Sequence, residues 1–341
     1  MFIPVKFGTN LEISDTEVDA KTFKELGLKE KDVEEFLRKN ISLIFGEEET
    51  LLVVGQQART ESKGISNLTA IDGDGNIVLI EIKRDAEDIK TRKEAFEFQA
   101  IRYAASYAKL KDTEEIVDLV YSAYIKKHKN EYDLGGLTPT EKARRELKHF
   151  LESNEAAKTF NSKQRIILIA SNFDKQTLSA VAWLIANNVD ISCFTITPAF
   201  VGEQGFLNID RILPPSQIDD FYIGLAGIST STKVETASKS AIKRTSLPRM
   251  NKLFEWNIIK SGDKLKIKNF DNSEAEIIDE NNVKFNDKKI TYNNWGQKVT
   301  GWSSINIYEW AVLISSDKTL HELRAAKMEE LQKVEVDDGV E

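Results

Sequence analysis

The segment from Asn67 to Lys83 constrains the fold most, because it predicts two strands joined by a tight turn. Two largely apolar runs, NLTAI and IVLIEIK, flank the sequence DGDGN, whose two Asp-Gly pairs are typical of a hairpin turn. A turn near Asp74 places Asn67 opposite Glu81 across the two strands. Glu81 and Lys83 are two residues apart, so their side chains lie on one face of the second strand. The sequence therefore predicts a hairpin that brings together an amide, a carboxylate and an ammonium group.

Other strands and helices surround this hairpin. Residues 165–171 and 189–196 are nearly continuous apolar runs, which are typical of strands buried on both faces of a sheet. Residues 174–188 lie between them and carry apolar side chains at helical spacing, so the three segments predict a strand–helix–strand unit. A further strand is predicted at 50–56, helices at 22–45, 86–110 and 141–153, and Thr140 as the N-cap of the last helix. The predicted fold class is α/β, with a mixed sheet flanked by helices.

The composition excludes several classes of protein. The chain of 341 residues suits about two domains, and its one cysteine and three histidines are too few for an internal disulfide or a structural zinc site. No apolar run is long enough to cross a membrane, and the first residues lack a secretion signal. We therefore expect a cytoplasmic protein with no membrane partner. The net charge of −8 argues against a chain coated by nucleic acid but is compatible with an acidic metal site and local basic patches.

Glu81 and Lys83 lie in a strand whose other residues are apolar on both faces. Burying two charges in such a strand costs free energy, so a functional role could explain them. The plain interpretation of Glu-X-Lys on a strand is an ion pair that faces solvent. The catalytic interpretation is that a carboxylate and an ammonium, with a partner opposite, hold a divalent cation and position a water molecule. Glu34 on the helix upstream is a further candidate oxygen ligand. Gln99 and Tyr103 are four residues apart and lie on one helical face.

The order of these motifs resembles that of the PD-(D/E)XK nuclease superfamily, in particular its RecB-like and NucS-like members. The resemblance rests on NLTAIDGDGNIVLIEIKRD, EFQAIRYAASYA and IILIASNFDKQTLSAVAWLIANNVDIS, and it covers about residues 20–215. It implies a restriction-endonuclease-like fold. It also implies a DNA endonuclease of restriction or defence type that depends on Mg²⁺ or Mn²⁺.

The resemblance implies roles for individual residues as well. In such enzymes the lysine, here Lys83, assists the attacking water, and the Gln-x-x-x-Tyr motif, here Gln99 and Tyr103, organises the site against the nucleic acid. The acid of the first helix is Glu34, with Glu35 as the alternative. The expected catalytic residues are Asn67, Glu81, Lys83, Gln99 and Tyr103, and the expected metal-contacting positions are Glu34, Asn67, Glu81 and Ile82.

Asn67 departs from the family pattern, which has an aspartate at this position. An amide oxygen can coordinate a cation but brings no negative charge, so the missing carboxylate should weaken Mg²⁺ binding strongly. Three interpretations stay open: a natural degenerate site that only binds DNA, an engineered substitution that disables cleavage, or replacement of the missing carboxylate by Asp72. A further alternative to the endonuclease is an interaction subunit of a restriction or defence assembly.

A polar segment separates the nuclease-like domain, residues 1–225, from the rest of the chain. Residues 226–249 are rich in serine and threonine, which is typical of a flexible linker. Between Lys233 and Lys252 there are six basic residues and one acid. This excess of basic residues is compatible with a solvated linker. It is also compatible with a segment that lies along a phosphate backbone, in which Lys243, Arg244 and Arg249 contact DNA.

Residues 250–335 predict a small α+β domain with short strands and a closing helix. They resemble RAMA-type domains, which are found beside restriction enzymes and DNA methylases and are suspected of sensing modified DNA. The shared residues include Trp295-Gly296 and Gly301-Trp302, and Trp302 is the candidate contact to DNA. The plain alternative is that the tryptophans form the core of a small domain. We expect this domain to fold separately and to bind DNA, with or without a modified base; a homodimer is compatible with the sequence.

Overall fold

The computed structural model describes residues 5–7, 10–14, 18–59, 65–90, 94–215 and 247–337. Most of the predicted linker, including Lys243 and Arg244, lies outside the described residues. None of the helices in the described ranges is long and apolar enough to cross a membrane.

A mixed seven-stranded sheet forms the centre of the chain up to residue 215. Two short strands that precede it, β1 (Val5–Phe7) and β2 (Leu11–Ile13), pair with each other. The sheet contains β3 (Val18–Ala20), β4 (Leu51–Arg59), β5 (Ile65–Asp72), β6 (Ile77–Ile82), β7 (Gln164–Ala170), β8 (Ile191–Val201) and β9 (Gln204–Leu213). The strand order is β3-β8-β7-β6-β5-β4, with β9 paired to β8. Strands β6, β7 and β8 are parallel and the other pairs are antiparallel, which confirms the mixed sheet.

Helices flank this sheet as predicted for the α/β class. They are α1 (Glu30–Lys39), α2 (Ser42–Phe45), α3 (Ala86–Lys90), α4 (Phe96–Tyr107), α5 (Thr113–Ile116), α6 (Ser122–Lys127), α7 (Pro139–Ser153) and α8 (Lys175–Ala186). A π-helical turn, Val117–Tyr121, joins α5 to α6. The continuous helix predicted at 22–45 is wrong. Asn40 leaves helical geometry and its side chain donates to the Phe36 carbonyl at 2.9 Å, which separates α1 from α2.

The start of α7 also differs from the prediction. Thr138, not Thr140, is the N-cap: its hydroxyl accepts from the Glu141 N–H at 3.2 Å, and the Glu141 carboxylate accepts from the Thr138 N–H at 2.8 Å. Pro139 follows as the first helical residue, where its missing N–H costs nothing. Thr140 instead lies within hydrogen-bond distance of the Ser122 hydroxyl, at 2.7 Å.

The C-terminal part, residues 247–337, contains a six-stranded antiparallel sheet. Its strands are β10 (Lys264–Ile267), β11 (Ala275–Ile277), β12 (Asn282–Phe285), β13 (Lys288–Thr291), β14 (Ala311–Leu313) and β15 (Lys318–Thr319), in the order β13-β12-β11-β10-β14-β15. The helices are α9 (Met250–Glu255), α10 (Tyr292–Thr300), α11 (Ile307–Trp310) and α12 (Leu320–Asp337). The predicted short strands and closing helix are confirmed.

The C-terminal part packs on the edge of the first sheet, at β4. Leu51 forms a β-bridge with Ser304, and the Ser303 hydroxyl accepts from the Val53 N–H at 2.9 Å. Arg324, which is fully buried, donates to Glu48 at 2.9 Å. The two parts are therefore in direct contact, because the edge strand β4 and a buried charge both find their partners across it.

Trp302 contributes to this contact and to the core, not to the surface. Its side chain is only 5% exposed, and its ring lies edge-to-face on Trp310 at 4.8 Å and on Phe150 of α7 at 5.2 Å. The prediction that Trp302 contacts nucleic acid is corrected accordingly: an indole enclosed by other rings cannot stack on a base. Arg249 is exposed just before α9 and stays a candidate.

Candidate functional site

The predicted hairpin is confirmed and supplies the first two residues of the site. Strands β5 and β6 are antiparallel, and the pairs Leu68 with Ile80 and Ile71 with Ile77 carry the register on to Asn67 opposite Glu81. The Asn67 N–H donates to Glu81 Oε1 at 3.3 Å. Every residue of β6 is buried, because the strand lies between β5 and β7 with helices on its faces.

The Asn67 side chain joins helix α1 to strand β6. Its Nδ2 donates to Glu34 Oε2 at 2.8 Å, and its Oδ1 accepts from the Ile82 N–H at 2.9 Å. The backbone N–H of Ile82 can only donate, so the oxygen of the Asn67 side-chain amide, and not its nitrogen, must face β6. Both ends of the amide thus have partners within the protein.

Of the two candidate acids on α1, Glu34 reaches the site and Glu35 does not. Glu34 lies on the buried face of the helix and is 1% exposed. Glu35 instead forms an ion pair with Arg38 at 2.8 Å. Asp72 does not replace the missing carboxylate either: it lies at the other end of β5, where it accepts from turn N–H groups and from Arg165.

Two buried carboxylates therefore meet at Asn67, Glu34 at its side-chain amide and Glu81 at its backbone N–H. Glu81 is fully buried, and burial raises the pKa of its carboxyl to about 8, against the opposing effects of Lys83 and of the Asn67 N–H. Burial also raises the pKa of Glu34, which the hydrogen bond from Asn67 opposes. Glu34 Oε1 is buried and has no hydrogen-bond partner among the described residues. Ionising both acids here requires a cation or a further donor.

Lys83 lies just beyond the end of β6, at the edge of this pair of acids. Its Nζ lies 3.2 Å from Glu30 and 5.9 Å from the centre of the Phe96 ring. Glu30 is a residue that the sequence interpretation missed, although it precedes Glu34 by one helical turn on α1. The ammonium is thus paired in the free protein and is 15% exposed.

Gln99 and Tyr103 of α4 lie on one face, as their spacing predicts. Gln99 Nε2 donates to Glu81 Oε2 at 3.4 Å and lies 3.3 Å from the Tyr103 hydroxyl. The Gln99 side chain therefore ties the helix to the buried acid of β6.

A cleft of about 560 Å³ opens beside these residues. Its lining is polar and charged, and it consists of Glu30, Lys83, Arg84, Asp88, Glu94, Gln99, Arg102 and Tyr103. Within the described ranges, no group of three or more histidine, cysteine, aspartate or glutamate side chains is arranged to hold a metal ion. Around Asn67 the structure brings together two carboxylates, those of Glu34 and Glu81, and one amide.

Comparisons with models of protein families, with curated proteins and with solved structures find no match to this chain.

Proposed function

We propose that this chain is a metal-dependent DNA endonuclease of restriction or defence type whose cation site is weakened by Asn67. The observation that carries the proposal is the convergence of two buried acids on one residue: Glu34 from α1 accepts from the side-chain amide of Asn67, and Glu81 from β6 accepts from its backbone N–H. Lys83 and Gln99 line an open cleft beside them. Phosphodiester hydrolysis needs acidic cation ligands, a group that orients water, and access for a long substrate.

The two acids suit a hard divalent cation. Glu34 Oε1 is a buried oxygen without a partner in the described part of the chain, and a bound cation or a water molecule would satisfy it. Glu34 and Glu81 would hold Mg²⁺ or Mn²⁺, with the amide oxygen of Asn67 and the main chain of Ile82 as weaker contacts. When bound, the cation would make a coordinated water more acidic and stabilise charge on the phosphate.

The neighbouring side chains would support this chemistry. Lys83 would orient the attacking water and offset the charge that develops on the phosphate, once its ammonium leaves Glu30. Gln99 would hold the Glu81 carboxylate in place through its bond to Oε2. Tyr103 accepts a hydrogen bond from Gln99 and would limit the positions that the Gln99 side-chain amide can adopt.

Restoring the acid tests this proposal. Asn67→Asp should cleave duplex DNA with Mg²⁺ or Mn²⁺, whereas Asn67→Asp with Lys83→Ala should not. Asn187→Asp, at the exposed end of α8, is a matched control and should stay as inactive as the parent chain. Absence of cleavage by Asn67→Asp with either metal would contradict the proposal, and robust cleavage by the double variant would remove the role given to Lys83.

A second function is a DNA-binding protein without catalysis. The observation that favours it is the Asn67 amide, which bonds one Glu34 oxygen and the Ile82 N–H without any cation. This version predicts DNA binding in EDTA, and no cleavage after the acid is restored. The third version, an interaction subunit of a restriction or defence assembly, predicts no affinity for DNA at physiological salt.

The proposed partner is DNA in the cytoplasm. Recognition of a modified base by the C-terminal part, and assembly of a homodimer, remain predictions from the sequence.

A further inference from the structure

Three cations line the cleft, and each is held by a carboxylate that lines the same cleft. The pairs are Lys83 with Glu30 at 3.2 Å, Arg84 with Asp88 at 3.1 Å, and Arg102 with Glu94 at 2.7 Å. The positive charge of the cleft is therefore matched by acids rather than presented freely to a substrate.

Arg102 is held least firmly of the three. Its side chain is 40% exposed and that of Glu94 is 42% exposed, whereas the Lys83 side chain is 15% exposed. Arg84 has further partners in Asp85 at 3.0 Å and in the Leu28 carbonyl at 3.2 Å, which fix it in the structure. An exposed ion pair such as that of Arg102 is weak and is screened by salt.

Arg102 also has donors to spare. Its Nε is buried and has no hydrogen-bond partner in the described part of the chain, while Nη2 donates to Glu94. A guanidinium has five donors, and a phosphate takes two of them side by side, as a carboxylate does. The Glu94 carboxylate accepts from one of these donors, Nη2, whereas a phosphate could take two of them.

We propose that Arg102 binds a backbone phosphate of the DNA substrate, beside the one that is cleaved, and that Glu94 occupies Arg102 until the substrate displaces it. Arg102 suits this role because it follows Gln99 by less than one turn on α4 and lines the cleft with Lys83. The substrate class is then a polynucleotide with phosphates on both sides of the cleaved bond. This inference rests on the proposed function.

The test is DNA binding by the full chain in EDTA. The fluorescence anisotropy of a short labelled duplex measures the affinity at a series of salt concentrations. Glu94→Gln should bind the duplex roughly two- to fivefold more tightly near 0.1 M salt, because the phosphate no longer has to displace an exposed carboxylate from Arg102. The slope of log K against log salt should stay nearly unchanged in this variant, because Arg102 contacts the phosphate in both proteins. Arg102→Ala should weaken binding and flatten that slope by about 0.9, because it loses one phosphate contact.

The chain offers a matched control in the pair of Arg144 and Glu114, which is exposed to a similar degree, has an N–O distance of 2.7 Å and does not line the cleft. Glu114→Gln changes the net charge by the same amount and should alter the affinity much less than Glu94→Gln. The variant with both Glu94→Gln and Arg102→Ala should bind like Arg102→Ala alone, because Glu94 acts through Arg102.

Two failures are distinguishable. If the chain binds the duplex but Glu94→Gln has no more effect than Glu114→Gln, the role of Arg102 and Glu94 is wrong and the proposed function stands. If neither the chain nor Glu94→Gln binds the duplex, the proposed function fails, and this inference with it.

Discussion

Glu81→Gln should make the protein more stable as the pH rises, relative to the parent chain. Burial raises the pKa of Glu81 from 4.5 to about 8, so the folded state favours the protonated acid. The stability that this proton provides is complete below pH 4.5 and is lost as the pH rises to about 8. Glutamine resembles the protonated acid in shape and does not titrate.

The size of the effect follows from the shift. Raising the pKa of Glu81 from 4.5 to about 8 corresponds to about 5 kcal/mol between its two protonation states. Part of the stability that the Glu81 proton provides is already lost at pH 5. The free energy of unfolding of Glu81→Gln, relative to the parent chain, should therefore rise by roughly 4 kcal/mol between pH 5 and pH 9. The raised pKa of Glu34 acts in the same direction in both proteins and largely cancels from the difference.

Urea unfolding in EDTA, at several pH values, measures this difference. Glu114→Gln is the control, because Arg144 lowers the pKa of that exposed carboxyl and the difference should not rise with pH. A free-energy difference between Glu81→Gln and the parent chain that is flat or falls between pH 5 and pH 9 would refute the buried, raised-pKa account of Glu81.

Two further predictions concern the contacts that hold the fold. Arg324→Ala should cost about 3–5 kcal/mol of unfolding free energy, because it removes a fully buried guanidinium that bonds the Glu48 carboxylate. Adding Glu48→Gln should recover part of the loss. A loss below about 1 kcal/mol in denaturant melts would show that this buried pair does not stabilise the contact between the two parts. Thr138→Ala should lower the free energy of unfolding by about 1 kcal/mol, because it removes the N-cap of α7, and Thr140→Ala should lower it less. Equal losses in the two variants would contradict the assignment of Thr138 as the N-cap.

The local part of the site could be predicted from the sequence. A tight turn fixes the register of a hairpin, so two Asp-Gly pairs were enough to place Asn67 opposite Glu81. The four-residue spacing of Gln99 and Tyr103 fixed their common face in the same way. Both predictions depend only on the geometry of one hairpin or one helix.

Contacts between distant segments could not be predicted in this way. The bond between Asn67 and Glu34 depends on how α1 packs on the sheet, and spacing along the chain could not decide between Glu34 and Glu35. Arg324 and Glu48 are 276 residues apart, and no local pattern links them. The polar linker predicted independent domains. Leu51 and Ser304, which pair at the edge of β4, lie on opposite sides of this linker in the sequence, so the linker itself does not reveal their contact.

Titration of Mn²⁺ by calorimetry tests the central claim most directly, because it measures the cation site without requiring turnover. The claim is that Glu34 and Glu81 form a cation site in which the Asn67 amide stands for a missing acid. Asn67→Asp should bind Mn²⁺ at least tenfold more tightly than the parent chain, more so as the pH rises toward 8, since the metal must displace the proton of Glu81. Adding Glu81→Gln should remove this gain. Equal affinities of the parent chain and Asn67→Asp, or tight binding that survives Glu81→Gln, would contradict the account.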